Sequence, residues 1–279
     1  MPTVWHAGLM HSLPIASSDG ATTVVEVYGT TGPHVVFLPG LGVPISYYAP
    51  FLTDWAARGF VIFALEIRGM PQSSTADIRA HDFGYAHVLD QELPAVIAQT
   101  PLEAPFILAG HSLGGQLSLL HAGRGLGDVS AVITIASGSS HHSALPTTAL
   151  RLLRRTQVAI IAGSARVLGY HAGHRLGFGG RQPRTMIADW ASEARTGRYA
   201  LAGSTTDDEA GLATIRQPVL MVTLEGDRLI SPAAAALLGA RASGTDITEL
   251  HLPGAFDHFR WARRQPEQVS EAISGWLEA

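Results

Sequence analysis

The stretch "FILAGHSLGGQLSLL", residues 106–120, changes periodicity in its middle. Phe106 to Gly110 form an apolar run of strand character, and from Leu113 onward leucines recur at helical spacing. Between the two, Gly110-His111-Ser112-Leu113-Gly114 fits the pattern G-x-S-x-G. In a chain with 30 glycines the pattern alone says little, and its setting decides. A strand that turns sharply into a helix lifts the central serine into the crevice at the strand's C-terminal end. Flanking glycines keep other side chains out of its way. Ser112 is therefore the candidate nucleophile, and the competing reading is a glycine-rich bend without chemistry.

A serine hydroxyl attacks only when a base takes its proton, so an acid and a histidine should follow in the order Ser, Asp, His. Asp227 comes immediately after a strand, on a loop at the same sheet edge, in "LEGDRLISP" (224–232), and His258 stands on a loop in "LPGAFDHFRW" (252–261), ahead of the last helical pattern. Three other residues fit less well. Glu225 falls within or beside its strand, Asp257 adjoins the histidine in sequence, and His251 lies in the strand-like "TELHLPG". An oxyanion hole needs two backbone N–H groups. One is expected from Leu113, and one from Leu41 in Pro39-Gly40-Leu41-Gly42, with Val43 as the other candidate.

Working outward, "TTVVEVYG" (22–29), "HVVFLPG" (34–40), "FVIFALEIRG" (60–69) and "SAVITIASG" (130–138) read as further strands. Helical patterns cover "YYAPFLTDWAARG" (47–59), "FGYAHVLDQELPAVIAQT" (83–100, with a kink expected at Pro94), "PAAAALLGARA" (232–242) and "PEQVSEAISGWLEA" (266–279). Such alternation predicts right-handed βαβ units in an α/β, doubly wound, mostly parallel sheet. Residues 140–212 break the rhythm and show no convincing strand. They are expected to form a helical lid inserted after the sixth core strand, with 1–139 and 213–279 making one core domain.

The whole chain of 279 residues is 46% hydrophobic and 15% charged, which suits a large globular core. It has neither cysteine nor lysine, so thiolate, disulfide and Schiff-base chemistry are excluded. A net charge of −4 argues against nucleic-acid binding. No apolar run reaches the roughly 18 residues of a membrane span, and the first residues lack a basic leader, so a cytoplasmic protein is expected. The charge is uneven, however. Residues 140–203 hold nine arginines against Asp189 and Glu193, a net +7 inside a body of −11.

The serine motif, "FLPGLG" (37–42), "EIRGMPQSS" (66–74), "GDRLISP" (226–232) and "GAFDH" (254–258) together resemble the α/β-hydrolase superfamily over nearly the whole length. More narrowly, "LGVPISYYAPFLTDWAARGF", "GHSLGGQLSLL", "ITIASGS" and "LGYHAGHRLGFGGRQPRTMIADWA" resemble a bacterial family of predicted α/β-hydrolases. The resemblance implies a Ser-His-acid triad, carried over onto Ser112, His258 and Asp227, and no cofactor. Two positions depart from the superfamily's usual pattern. Glu66 stands where an Asp is common, and Pro39 where a histidine often precedes the glycine.

The remaining features have plainer readings. His171 and His174 form H-x-x-H and His141 and His142 are adjacent, but no further ligands at metal-site spacing accompany either pair. No metal is expected, although His141 and His142 could line the site entrance. His111 should point away from Ser112, and Glu66 and Arg68 should pair or cap locally. In the lid, Leu150, Leu152 and Leu153 should pack on the core while the arginines pair with acids of the body. The alternative is a cationic surface that docks an anionic acyl carrier.

The function expected is a serine hydrolase. It would cleave an ester or thioester of a small to medium hydrophobic acyl substrate through an acyl-enzyme. An acyltransferase, a lyase or cyclase using the same groups, and a non-catalytic ligand binder are the alternatives.

Overall fold

The apolar runs become strands of one eight-stranded sheet. A computed structural model describes residues 9–173 and 179–279. In chain order the core comprises β1 (Leu9–Ala16), β2 (Thr22–Tyr28), β3 (His34–Leu38), α1 (Ala49–Ala57) and β4 (Val61–Leu65). Next come α2 (Tyr85–His87), α3 (Leu93–Gln99), β5 (Phe106–His111), α4 (Leu113–Gly123) and β6 (Val129–Ile135). The sheet order is β1-β2-β4-β3-β5-β6-β9-β10, where β9 is Val219–Leu224 and β10 is Ile247–Leu252. The β1–β2 and β2–β4 pairings are antiparallel and all the others parallel.

Strands β4, β5 and β9 are buried at every position, which explains why they read as unbroken apolar runs. Two hydrophobic clusters cover the two faces. One joins the sheet to α3, α4 and α8 (Pro232–Gly239), the other to α1, α9 (Trp261–Arg264) and α10 (Pro266–Leu277). In the second, Phe51 packs edge-on against Trp261 with ring centroids 4.9 Å apart.

Three expectations need correction. The helix over 83–100 is interrupted by a π-helical turn at Val88–Glu92, just ahead of Pro94. Proline cannot donate to the fourth residue back, and a widened turn makes room for its ring. The segment inserted after β6 does contain strands. It runs as α5 (Thr148–Leu168), β7 (Tyr170–Ala172), β8 (Arg181–Pro183), α6 (Arg184–Thr196) and α7 (Asp208–Leu212), with β7 and β8 antiparallel. Three-residue strands are too short for alternation to show.

The third concerns α5. It packs on α6 and β7 through the face bearing Arg154, Val158, Ile161 and Ala165. Its apolar residues on the other side face solvent instead of the core: Leu152 is 64%, Ile160 64% and Val167 84% exposed. Nor do its arginines pair with the body. Among the described arginines of the segment, only Arg184 makes an ion pair, to Asp82 at 2.9 Å. No helix among the described residues is long and apolar enough to cross a membrane.

Candidate active site

Ser112 sits between the last residue of β5 and the first of α4, with φ 54° and ψ −113°. This conformation is rare for a residue with a side chain, and close packing enforces it. Ser112 N–H donates to Ile135 O at 2.9 Å. A methyl group on Gly114 would lie 2.0 Å from Leu38 O, and one on Gly110 would lie 2.2 Å from Gly114 C. Strand and helix thus meet where only glycine fits, which is the physical content of the motif.

The parallel strands bring the predicted partners to the same edge. Asp227 lies on the loop after β9, and His258 on the loop between β10 and α9. His258 Nε2 is 3.0 Å from Ser112 Oγ, and His258 Nδ1 is 2.8 Å from Asp227 Oδ2. The Asp227 carboxylate is fully buried, and its Oδ1 accepts hydrogen bonds from Leu229 N (2.7 Å) and Ile230 N (3.0 Å). One oxygen is fixed by backbone and the other is left for the imidazole.

The competing acids are occupied elsewhere. Glu225 accepts from Gly254 N at 2.6 Å, and Asp257 accepts from Phe259 N and Arg260 N. His251 bonds to Thr223 Oγ1 at 3.0 Å, a strand-to-strand contact.

Leu41 and Leu113 both line the cavity above Ser112. Neither N–H has a partner among the described residues, whereas Val43 N–H donates to Gly40 O at 3.1 Å. The turn that carries Leu41 is held by Tyr48. Its hydroxyl accepts from Gly40 N at 2.9 Å and lies 2.7 Å from His111 Nδ1. His111 is fully buried, and burial holds its imidazole well below the usual pKa, with the nearby His258 acting in the same direction. Its ring packs 4.7 Å from that of His258. His111 therefore braces both the turn and the imidazole next to Ser112.

Glu66 and Arg68 do not pair with each other. Glu66 Oε2 accepts from Ile45 N at 2.6 Å and so fixes the far end of the Leu41 turn. Arg68 instead binds Asp19 and Glu92. Burial pushes the Glu66 carboxyl up to about 7 from a usual 4.5, against the hydrogen bond from Ile45. An acid whose pKa is raised by folding loses stability as pH climbs from its unfolded value through the folded one. Glu66→Gln keeps an acceptor for Ile45 N and cannot ionise. Its Tm relative to the parent is expected to be higher at pH 8 than at pH 5 by at least about 2 °C. Equal differences in calorimetry at both pH values would contradict this.

The cavity measures about 60 Å³, and its apolar wall is formed by Leu41, Tyr85, Leu113, Trp190, Leu229 and Ile230. Arg154 of α5 and Trp190 of α6 reach it from the inserted segment; neither was foreseen from sequence. No local pattern marks them, because their approach depends on how α5 and α6 are rotated. His141 and His142 pack against each other with tilted rings, centroids 4.1 Å apart, and do not line the cavity. His171 is buried, and His174 lies outside the described residues. Among the described residues no three His, Asp or Glu side chains are grouped to hold a metal.

Known proteins resemble the chain in sequence and in fold. The chain is 28% identical to a protein of Mycobacterium phage D29 that bears the name of a non-heme haloperoxidase, over 93% of this chain and 92% of that one. Among solved structures, an esterase from Exiguobacterium antarcticum superposes with a TM-score of 0.67 at 17% identity, covering 95% of this chain and 99% of the esterase. A thioesterase domain from the curacin biosynthetic pathway gives 0.60 at 16% identity, covering 96% of this chain and all of that domain. The family model described as "Alpha/beta hydrolase family" matches residues 35–272. With sheet, elbow and sequence match in agreement, the chain belongs to the alpha/beta hydrolase family.

Proposed function

We propose that the chain is a serine hydrolase that cleaves a carboxylic ester or thioester through an acyl-enzyme. The observation that carries this reading is the unbroken line from Ser112 Oγ through His258 to the buried Asp227 carboxylate. Ser112 Oγ attacks the acyl carbon while His258 Nε2 takes its proton. Asp227 holds the imidazole with its remaining proton on Nδ1 and stabilises the cation that forms. The N–H groups of Leu41 and Leu113 stabilise the oxyanion. As the bond to the leaving oxygen or sulfur breaks, His258 returns the proton to it. Water then repeats the sequence, releasing the acid and restoring Ser112.

The cavity favours a small acyl part, and residues 140–212 act as its cap. An esterase and a thioesterase among the structural neighbours suit this chemistry. The test is turnover of 4-nitrophenyl esters together with covalent labelling by a fluorophosphonate. No turnover and no labelling of the folded protein would remove the reading.

A second reading concerns delivery of the substrate. Helix α5 exposes Arg151, Arg155 and Arg166, contains no acid, and carries beside them the exposed Leu152, Ile160 and Val167. This suits an anionic acyl carrier. Raising salt from low to high is expected to cut kcat/KM for a carrier-bound acyl group about tenfold and for a free ester less than about twofold. Equal salt response would contradict docking.

A further inference from the structure

Among the described residues that line the cavity, Arg154 carries a charge that no opposite charge contacts. It projects from the buried face of α5, is half-buried, and lines the cavity together with Ser112 and His258. Among the described residues it has no ion-pair or hydrogen-bond partner. The acid whose charge bears on it is Glu193, and Glu193 is fully engaged elsewhere. Its Oε1 takes Arg241 Nη2 at 2.7 Å and Ser139 Oγ at 2.5 Å, and its Oε2 takes Ser140 N at 2.9 Å.

Two further polar contacts of the wall stay within the protein. Gln116 Nε2 donates to Gly138 O at 2.9 Å, and Ser140 Oγ accepts from Trp190 Nε1 at 3.0 Å. Burial lowers the Arg154 pKa, and the charge of Glu193 opposes this without touching it. A half-buried, unpaired guanidinium is costly, and a planar fork of donors matches a carboxylate.

We propose that the substrate carries a carboxylate close to its scissile carbonyl, and that Arg154 binds it. The proposal rests on the serine-hydrolase reading and narrows its substrate from hydrophobic esters in general to anionic ones. With a cavity of about 60 Å³, the carboxylate stands only a few atoms from the acyl carbon. It belongs either to the acyl part, as in a half-ester of a short dicarboxylic acid, or to the leaving group.

Two substrate pairs separate these sources. Mono-4-nitrophenyl succinate against 4-nitrophenyl pentanoate places the charge on the acyl side. Butyryl glycolate against propyl butyrate places it on the leaving side. In at least one pair the anionic ester is expected to have a kcat/KM about tenfold or more above its neutral counterpart, the discrimination a charge-assisted pair supplies. Arg154→Gln should erase that ratio and Arg154→Lys retain part of it. Arg198→Gln, which removes an exposed charge elsewhere in the segment, should leave it within about twofold.

A binding measurement stands apart from turnover. Ser112→Ala titrated calorimetrically with N-methylsuccinamate against N-methylpentanamide, and with N-butyrylglycine against N-propylbutanamide, should bind the anion of at least one pair and neither neutral amide. Adding Arg154→Gln should weaken that binding about tenfold or more. Ratios near one in both pairs, or anion binding unchanged by Arg154→Gln, would overturn the proposal while leaving the hydrolase reading in place. Anion binding that depends on Arg154, found together with hydrolysis that survives Ser112→Ala, would uphold it and overturn that reading instead.

Discussion

Ser112→Ala is expected to lower kcat for a 4-nitrophenyl ester by about 10⁴- to 10⁶-fold and to abolish fluorophosphonate labelling. The substitution removes the proposed attacking atom, which lies 3.0 Å from His258 Nε2. It leaves the cavity wall and the Leu41 and Leu113 N–H groups untouched, so KM should change little. The fold should persist, because alanine meets the same backbone demands as serine and the Ser112 hydroxyl bonds only to His258 among the described residues. A loss of activity below about tenfold would mean that another group performs the attack.

Asp227→Asn should cost nearly as much, about 10³- to 10⁴-fold in kcat, while leaving the structure intact. The reason lies in how the two carboxylate oxygens are used. Oδ1 is fixed by the N–H groups of Leu229 and Ile230, and Oδ2 faces His258 Nδ1 at 2.8 Å. Asparagine must turn its single oxygen toward the two backbone donors, so its NH₂ group faces the imidazole. Nδ1 then has to accept, the ring proton moves to Nε2, and His258 presents a donor to Ser112 where a base is needed. Unchanged activity in Asp227→Asn would show that the buried acid does not set the tautomer.

The core of this arrangement was legible in the sequence because each part is dictated locally. Gly110 and Gly114 are required where a strand and a helix touch backbone to backbone, and that necessity leaves a pattern. Asp227 and His258 follow strands that parallel pairing carries to one edge, so chain order and loop placement identified them. Strand β1 was not read. Its Pro14 counts against a strand, yet β1 is an edge strand, where proline is tolerated.

What remained hidden depends on side chains meeting across long sequence distances. Glu66 was expected to serve its own strand end, but its carboxylate reaches Ile45 in the turn that presents Leu41. The leucine–arginine run of α5 suggested leucines inward. Helix rotation instead turns Arg154 and Val158 inward and leaves Leu152, Ile160 and Val167 outside. Amphipathic spacing alone does not say which face a neighbour covers when both faces hold apolar residues.

The proposed chemistry turns on a covalent step at one oxygen atom, and trapping the acyl-enzyme tests that step. The protein would be mixed with excess 4-nitrophenyl ester, quenched in acid within the first turnover, digested, and analysed by mass spectrometry. The predicted result is an acyl adduct on the peptide containing Ser112, formed with a burst of one nitrophenolate per molecule and absent from Ser112→Ala. Rapid ester turnover with no adduct on Ser112, continuing in Ser112→Ala, would contradict the account.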